Sequence, residues 1–316
     1  MRELRSVEIP ADFAEERIDS ALAQILGLSR NVIARLLEAD EVKLGHRVLT
    51  KSDRVQSGQI ISVLLPEPPS GVAIPPTPID SLEIVYQDTD LVIVNKPVGC
   101  AAHPSPGWNG PTVIGALVAA GIPLTSSGPA ERQGIVQRLD VGTSGLMMVA
   151  KTDEAYLRLK DMFRNRSLKK IYHALAQGHI EPPIGTIDAP IDRHPKDDYK
   201  MAVVTDGKAS ITHYEVIEHF RAVSLLQLEL ETGRTHQIRV HLSAIRHPLV
   251  GDLTYGADPN LAREIGVDRP WLHATALEFS HPISGLPISV VAKYPRDLSD
   301  SLARLRGSDL SQGGKD

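Results

Sequence analysis

Between residues 81 and 294 the chain returns again and again to short apolar runs of strand length, and most follow one another with no helix between them. LEIVY, LVIVN, GLMMVA, KKIYHALAQG, SITHYEVIEHF, VSLLQLELE, ATALEFSH and PISVVAKY are rich in β-branched and aromatic residues. Several alternate with period two, and turn residues separate them. A doubly wound parallel sheet needs a helix after nearly every strand, and this pattern does not supply one. The expected class is α+β, with a mixed, largely antiparallel sheet flanked by helices and loops. Helical spacing is confined to PTVIGALVAA, DEAYLRLKDMFRN and THQIRVHLSAI, with a last helix over residues 297–306 and a disordered tail over 307–316.

Upstream lies a break. Residues 66–80, PEPPSGVAIPPTPID, carry six prolines and read as a stiff linker. Before it, residues 15–65 read as a separate package. RIDSALAQIL places Ile18, Ala21, Leu22 and Ile25 at helical spacing, and Gly27 ends the run. Ser29 is placed to cap a second helix, NVIARLLEAD, and EVKLG, RVLTK and QIISVLLP follow as strands. From Ser29 to Arg54, Arg30, Arg35, Lys43, Arg47, Lys51 and Arg54 outnumber four acids. That suits phosphates, though charge alone more often marks a solvated helix face.

The totals exclude more than they select. One cysteine in 316 residues rules out a disulfide within the chain. No apolar stretch approaches the roughly 18 residues that cross a membrane, and MRELRSVEIPADFAEER has no apolar signal core, so a cytoplasmic protein is expected. A net charge of -5 argues against a surface that grips nucleic acid everywhere, while leaving room for a local basic groove. There is no GxGxxG, P-loop, GxSxG or HExxH, so neither a cofactor nor a metal is expected.

Three stretches bear charge where apolar runs meet. In GIVQRLDVGTSGLMMVAK, Arg138 and Asp140 sit two apart before a Gly-Thr-Ser-Gly turn, on one side of the chain if it is extended. A lone Asp before a glycine turn is ordinarily a bend residue, but apolar runs on both sides fix this one rigidly. In LELETGRTHQIRVHLSAIRHPLVGD, Arg234, Arg239 and Arg246 follow a strand, and an arginine at a strand-to-helix turn is placed to meet a carboxylate from elsewhere. In RNRSLKKIYHALAQG, Tyr172 stands in an alternating strand behind Lys169 and Lys170, which suits base stacking beside a phosphate track.

Together with DLVIVNKPVGCAAHP, these stretches resemble, in order and spacing, the motifs of the RluA-type family of pseudouridine synthases, over about 210 residues. Residues 15–65 resemble an S4 RNA-binding domain. The resemblance implies an S4 domain, a linker and a catalytic domain over residues 81–306, acting without a cofactor, and the lack of an apolar helical seam points to a monomer. The implied reaction is isomerisation of uridine to pseudouridine in RNA, ribosomal RNA foremost, with transfer RNA, or RNA binding without catalysis in ribosome assembly, as alternatives. It implies Asp140 as the catalytic carboxylate, Arg234 paired with it, Tyr172 stacked on the flipped uracil, and Arg138 in the gap the base leaves. Ser29, Arg30, Arg35, Lys43, Lys169 and Lys170 would carry RNA contacts. One departure lies in the central motif, where the family has His-Arg-Leu-Asp and this chain has Gln137.

Overall fold

The computed structural model describes residues 3–26, 28, 30–65, 74–105 and 107–312, and the chain divides into two units, Met1–Ala73 and Ile74–Asp316. In the first unit, β1 (Glu3–Glu8) is followed by α1 (Ile18–Ile25), α2 (Arg30–Glu38), β2 (Val42–Leu44), β3 (Arg47–Val48) and β4 (Ile60–Leu65). The strands pair antiparallel in the order β1-β4-β2-β3. Both helices carry apolar residues three and four apart, so each has one apolar face. Ile18, Leu22, Ile33, Leu36 and Leu37 close over Val42, Ile61 and Val63 of the sheet.

The unit begins upstream of residue 15, because β1 pairs with β4 along its whole length, from Glu3↔Leu65 to Glu8↔Ile60. The sequence hid this strand. ELRSVE is mostly polar, and Leu4 is left exposed. Gly27, Ser29 and the linker residues 66–73 lie outside the described residues, and with them the cap and RNA contact expected of Ser29.

The second unit runs β5 (Glu83–Gln87), β6 (Leu91–Lys96), α3 (Val113–Ala119), β7 (Ser144–Ala150), α4 (Asp153–Arg164), β8 (Lys169–Gln177), β9 (Ile184–Asp188), β10 (Ile191–His194), β11 (Asp197–Val203), β12 (Ile211–Phe220), β13 (Val223–Leu230), α5 (Gln237–Ala244), α6 (Pro259–Ile265), β14 (Leu272–Ser280), β15 (Pro287–Val291) and α7 (Arg296–Gln312). Nine strands form one sheet, β5-β6-β7-β14-β8-β13-β12-β9, with β15 on β14. Strand β14 is its pivot. One edge pairs with β8, while the other is shared between the start of β7, which runs parallel, and β15. The remaining pairs of this sheet are antiparallel, so it is mixed and mostly antiparallel.

Both faces of the central strands are covered. Along β7, Met147 and Val149 join the core built with Val113 and Leu117 of α3 and Ile238 and Leu242 of α5. Leu146, Met148 and Ala150 point the other way, onto Ala155 and Leu159 of α4. Side chains alternate across a strand, so a doubly covered strand must read as an unbroken apolar run, as GLMMVA does. A third cluster surrounds Trp271, with Leu298 and Leu302 of α7 and Ala262 and Ile265 of α6.

Two expected boundaries shift. Residues 74–80 belong to the second unit, not the linker: the Thr77 N–H donates to the Gly115 carbonyl at 3.0 Å, and Ile79 packs on the core. Helix α7 continues to Gln312 through most of the expected disordered tail, since a helix nucleated by buried Leu298 and Leu302 propagates at little cost. Strands β9 to β11 were not legible, because their residues are polar and interrupted by prolines. No helix among the described residues is long and apolar enough to cross a membrane.

Candidate active site

The turn before β7 is held from three sides. The Thr143 N–H donates to the Asp140 carbonyl at 3.0 Å, closing the turn. The Gly99 N–H donates to the Val141 carbonyl at 2.9 Å, and the Arg269 guanidinium reaches the Gly142 carbonyl at 3.2 Å. Arg269 is fixed in turn by both oxygens of Asp297 on α7. Immediately afterwards Gly145, at φ +116°, lets β7 approach β14 so closely that a Cβ there would lie 2.3 Å from the Ala274 carbonyl oxygen. Within this turn Leu139 is buried, Arg138 is exposed and Asp140 is partly exposed. The buried leucine fixes the strand, and Arg138 and Asp140 both face a cleft of about 310 Å³ lined also by His103, Trp108, His236 and Arg239.

Asp140 does not pair with Arg234. That side chain is exposed, and its guanidinium rests on the Ala209 carbonyl at 3.3 and 3.4 Å. The partner is Arg239, one turn into α5, whose Nη1 donates to Asp140 Oδ2 at 3.2 Å. Its other donors, Nε and Nη2, form a fork on Asp252 at 2.7 and 2.9 Å. Asp252 is 1% exposed and Arg239 10%, so the pair is desolvated and geometrically fixed. The pairing with Arg234 is what the family resemblance implies. In Gln-Ile-Arg-Val-His-Leu, however, apolar neighbours at Ile238, Val240 and Leu242 mark a buried helix, and a buried cation requires a partner. That signal pointed to Arg239, and Asp252 had no comparable signal.

His236 completes this side of the site and was also missed. It occupies the left-handed region at φ 56°, just before α5, and its Nε2 lies 3.8 Å from Asp140 Oδ2. Burial lowers its pKa, and the charges of Arg239 and Arg138 act in the same direction against Asp140 and Asp252. Tyr172 lies in β8 between Leu228 and Ala274 and is 8% exposed. Burial first, and then the nearby Asp140 charge, push its phenol pKa up, so it stays protonated at neutral pH. Lys96, fully buried at the end of β6, donates to the carbonyls of Cys100 (2.7 Å) and Pro97 (3.0 Å). Burial pulls its pKa down to about 8 against the opposing pull of Cys100 and Asp140.

The expected RNA contacts divide. Arg30, Arg35 and Lys43 are exposed in the first unit, and Arg30 also donates to the Ser20 hydroxyl. Lys169 is exposed and lies 3.7 Å from Glu229. Lys170 is not a surface cation: it is 8% exposed, its ammonium lies 5.6 Å from the Phe163 ring centre, and burial, helped by Arg166, pulls its pKa down to about 8. Adjacent strand residues face opposite ways, so one lysine of the pair had to turn inward. Gln137 Nε2 is buried without a hydrogen-bond partner among the described residues.

Among the described residues, Asp88, Asp90 and His281 come close enough to hold a metal ion. Most of their ligand atoms are already committed. Asp88 Oδ1 accepts the Asp90 and Leu91 N–H groups, and the Tyr86 hydroxyl donates to Oδ2 at 2.6 Å. His281 Nδ1 accepts two backbone N–H groups at 3.2 and 3.0 Å, which leaves the ring proton on Nε2, facing Asp88. This is a hydrogen-bonded cluster that braces a strand end.

Known proteins share this arrangement of chain. Residues 90–244 match the family model described as RNA pseudouridylate synthase. An uncharacterised RNA pseudouridine synthase of Mycobacterium bovis is 52% identical over 96% of this chain and 98% of its own. Ribosomal large subunit pseudouridine synthase D of Escherichia coli is 39% identical over 92% of this chain and 91% of its own. The solved structure of human RNA pseudouridylate synthase domain containing 1 superposes with a TM-score of 0.56 at 30% identity, covering 73% of this chain and 97% of that one. With matches of this length and the motifs around Asp140, Tyr172 and Arg239 in order, this chain belongs to the RluA-type family of RNA pseudouridine synthases.

Proposed function

We propose that the cleft isomerises uridines of large-subunit ribosomal RNA, with Asp140 as the carboxylate at the target ribose. The observation that carries this reading is the Asp252–Arg239–Asp140 chain, which holds one carboxylate rigidly in an open cleft beside an exposed arginine. The reaction breaks the N1–C1′ bond and forms C5–C1′. The proton at C5 is lost, and N1 gains one, so no redox partner or second substrate is required. Asp140 acts at C1′ or C2′ of the ribose, and Arg239 stabilises its charge. Tyr172, kept as a neutral phenol by burial, packs against the uracil and is a poor base for the C5 proton. Arg138, exposed on the cleft, takes the space vacated by the flipped base. Ribosomal RNA is favoured because relatives that match most of this chain are named large-subunit synthases.

We infer that the first unit is an S4 RNA-binding domain. Its support is the helix pair α1–α2 packed on a small sheet, with Arg30, Arg35 and Lys43 exposed for phosphates. The test is tritium release from RNA labelled at uracil C5, with unmodified ribosomal RNA and transfer RNA as parallel substrates. Wild type should release tritium from ribosomal RNA, and Asp140→Ala should not, while still binding it. Release from transfer RNA alone would reassign the substrate. Binding without release from either RNA would favour an assembly role.

A further inference from the structure

Tyr255 stands outside the Asp140, Tyr172 and Arg239 set, yet it touches both Arg239 and His236 beside Asp140. It ends the short turn Leu253–Tyr255 that follows Asp252. Its ring lies 4.9 Å from the Arg239 guanidinium carbon and meets His236 edge-on at 5.7 Å. Its hydroxyl accepts the Met201 N–H of β11 at 3.0 Å and lies 2.8 Å from His236 Nδ1.

These contacts fix a proton. A backbone N–H can only donate, so the Met201 contact uses a lone pair of the Tyr255 oxygen. Burial pushes the Tyr255 pKa up, so the hydroxyl keeps its proton. Among the described residues His236 Nδ1 is the one acceptor within reach of that proton, so Nδ1 accepts it and the ring hydrogen of neutral His236 is on Nε2. Nε2 faces Asp140 Oδ2 at 3.8 Å, too far for a direct hydrogen bond. Both groups line the cleft. The N–H is thus presented to whatever oxygen lies against the carboxylate, and on a bound nucleotide that oxygen belongs to the ribose. The charged groups around His236 are Asp140 and Arg138 before β7, Arg239 on α5, and Asp252 after it.

We propose that Tyr255 is a positioning residue for the isomerisation: its hydroxyl, anchored on the β10–β11 hairpin through Met201, holds His236 with an N–H donor aimed at the ribose beside Asp140. His236 makes the contact, and Tyr255 acts only through it. A lone pair on Nε2 would repel the same ribose oxygen, so the tautomer decides whether His236 helps or hinders. This deepens the proposed reading of the cleft and rests on it.

The test is a double-mutant cycle read by single-turnover tritium release and by RNA binding, using Tyr255→Phe, His236→Ala, the double variant, and Asp140→Ala. Tyr255→Phe keeps the ring on Arg239 and removes only the hydroxyl. It should lower kcat about tenfold while KM and RNA affinity stay within about twofold. His236→Ala should lower kcat at least as far, and adding Tyr255→Phe to it should cost nothing more. His236→Gln, which can donate from a similar position, should recover part of the loss. Losses that multiply in the double variant, or a Tyr255→Phe effect confined to KM, would overturn the relay while an inactive Asp140→Ala leaves the cleft reading standing. Release by Asp140→Ala would overturn both readings.

Discussion

Arg239 engages two carboxylates through all three of its guanidinium nitrogens. The fork on Asp252 uses Nε and Nη2, and Nη1 is left for Asp140. Asp252 is thus the anchor and Asp140 the working end. Substituting Asp252 by Ala leaves Arg239 with only Asp140 beside it and its Nε and Nη2 donors unsatisfied, at an expected cost of roughly 3–5 kcal/mol by urea unfolding, because breaking a buried ion pair from one side is expensive. Tritium release should fall with it, as the guanidinium loses its fixed plane. Arg234→Ala, by contrast, removes an exposed contact with the Ala209 carbonyl, and stability should change by less than about 0.5 kcal/mol.

At the level of elements, the site depends on how closely β7 can approach β14. The parallel contact consists of the register His273↔Ser144 and Ala274↔Gly145, directly after the Asp140 turn. Gly145 is required there twice over, by its φ of +116° and by the Ala274 backbone at 2.3 Å from any Cβ. Gly145→Ala should cost about 3 kcal/mol or more, measured as a lower urea midpoint, and should abolish activity by displacing Asp140. Helix α4 offers the opposite case. The Thr152 hydroxyl caps it by accepting the Ala155 N–H, and α4 packs on the sheet face away from the core that holds Tyr172. Thr152→Ala should cost about 1 kcal/mol and leave turnover per folded molecule unchanged.

At the scale of the whole molecule, both tryptophans, Trp108 and Trp271, lie in the second unit, so their fluorescence reports that unit's unfolding alone. Buried His273 sits beside Arg269, and burial first, then that charge, depress its pKa to about 4. The unfolded chain takes up this proton near pH 6.5 and the folded one near 4. The folded state's advantage is therefore intact above about 6.5 and lost as pH falls toward 4, by roughly 3 kcal/mol. Urea titrations at pH 7 and 4.5 should show this slope, and His273→Asn should flatten it whatever its effect at pH 7.

The local patterns of the chain determined a great deal. The short apolar runs placed eight strands of the large sheet, the fully apolar GLMMVA marked a strand covered on both faces, and the rigid turn singled out Arg138 and Asp140. What remained unread is non-local. Arg239 and Asp140 meet across 99 positions in sequence, and Asp252 enters from a loop with no periodic signature. Lys170 turned inward and Lys169 outward, and alternation along β8 required that of one of the two without saying which. Strand β1 was found only through its partner β4. Periodicity tells each residue which face of its own element it occupies. Which elements those faces meet is decided by packing and desolvation across the whole unit, and it was there, not in the motif, that the carboxylate acquired its arginine.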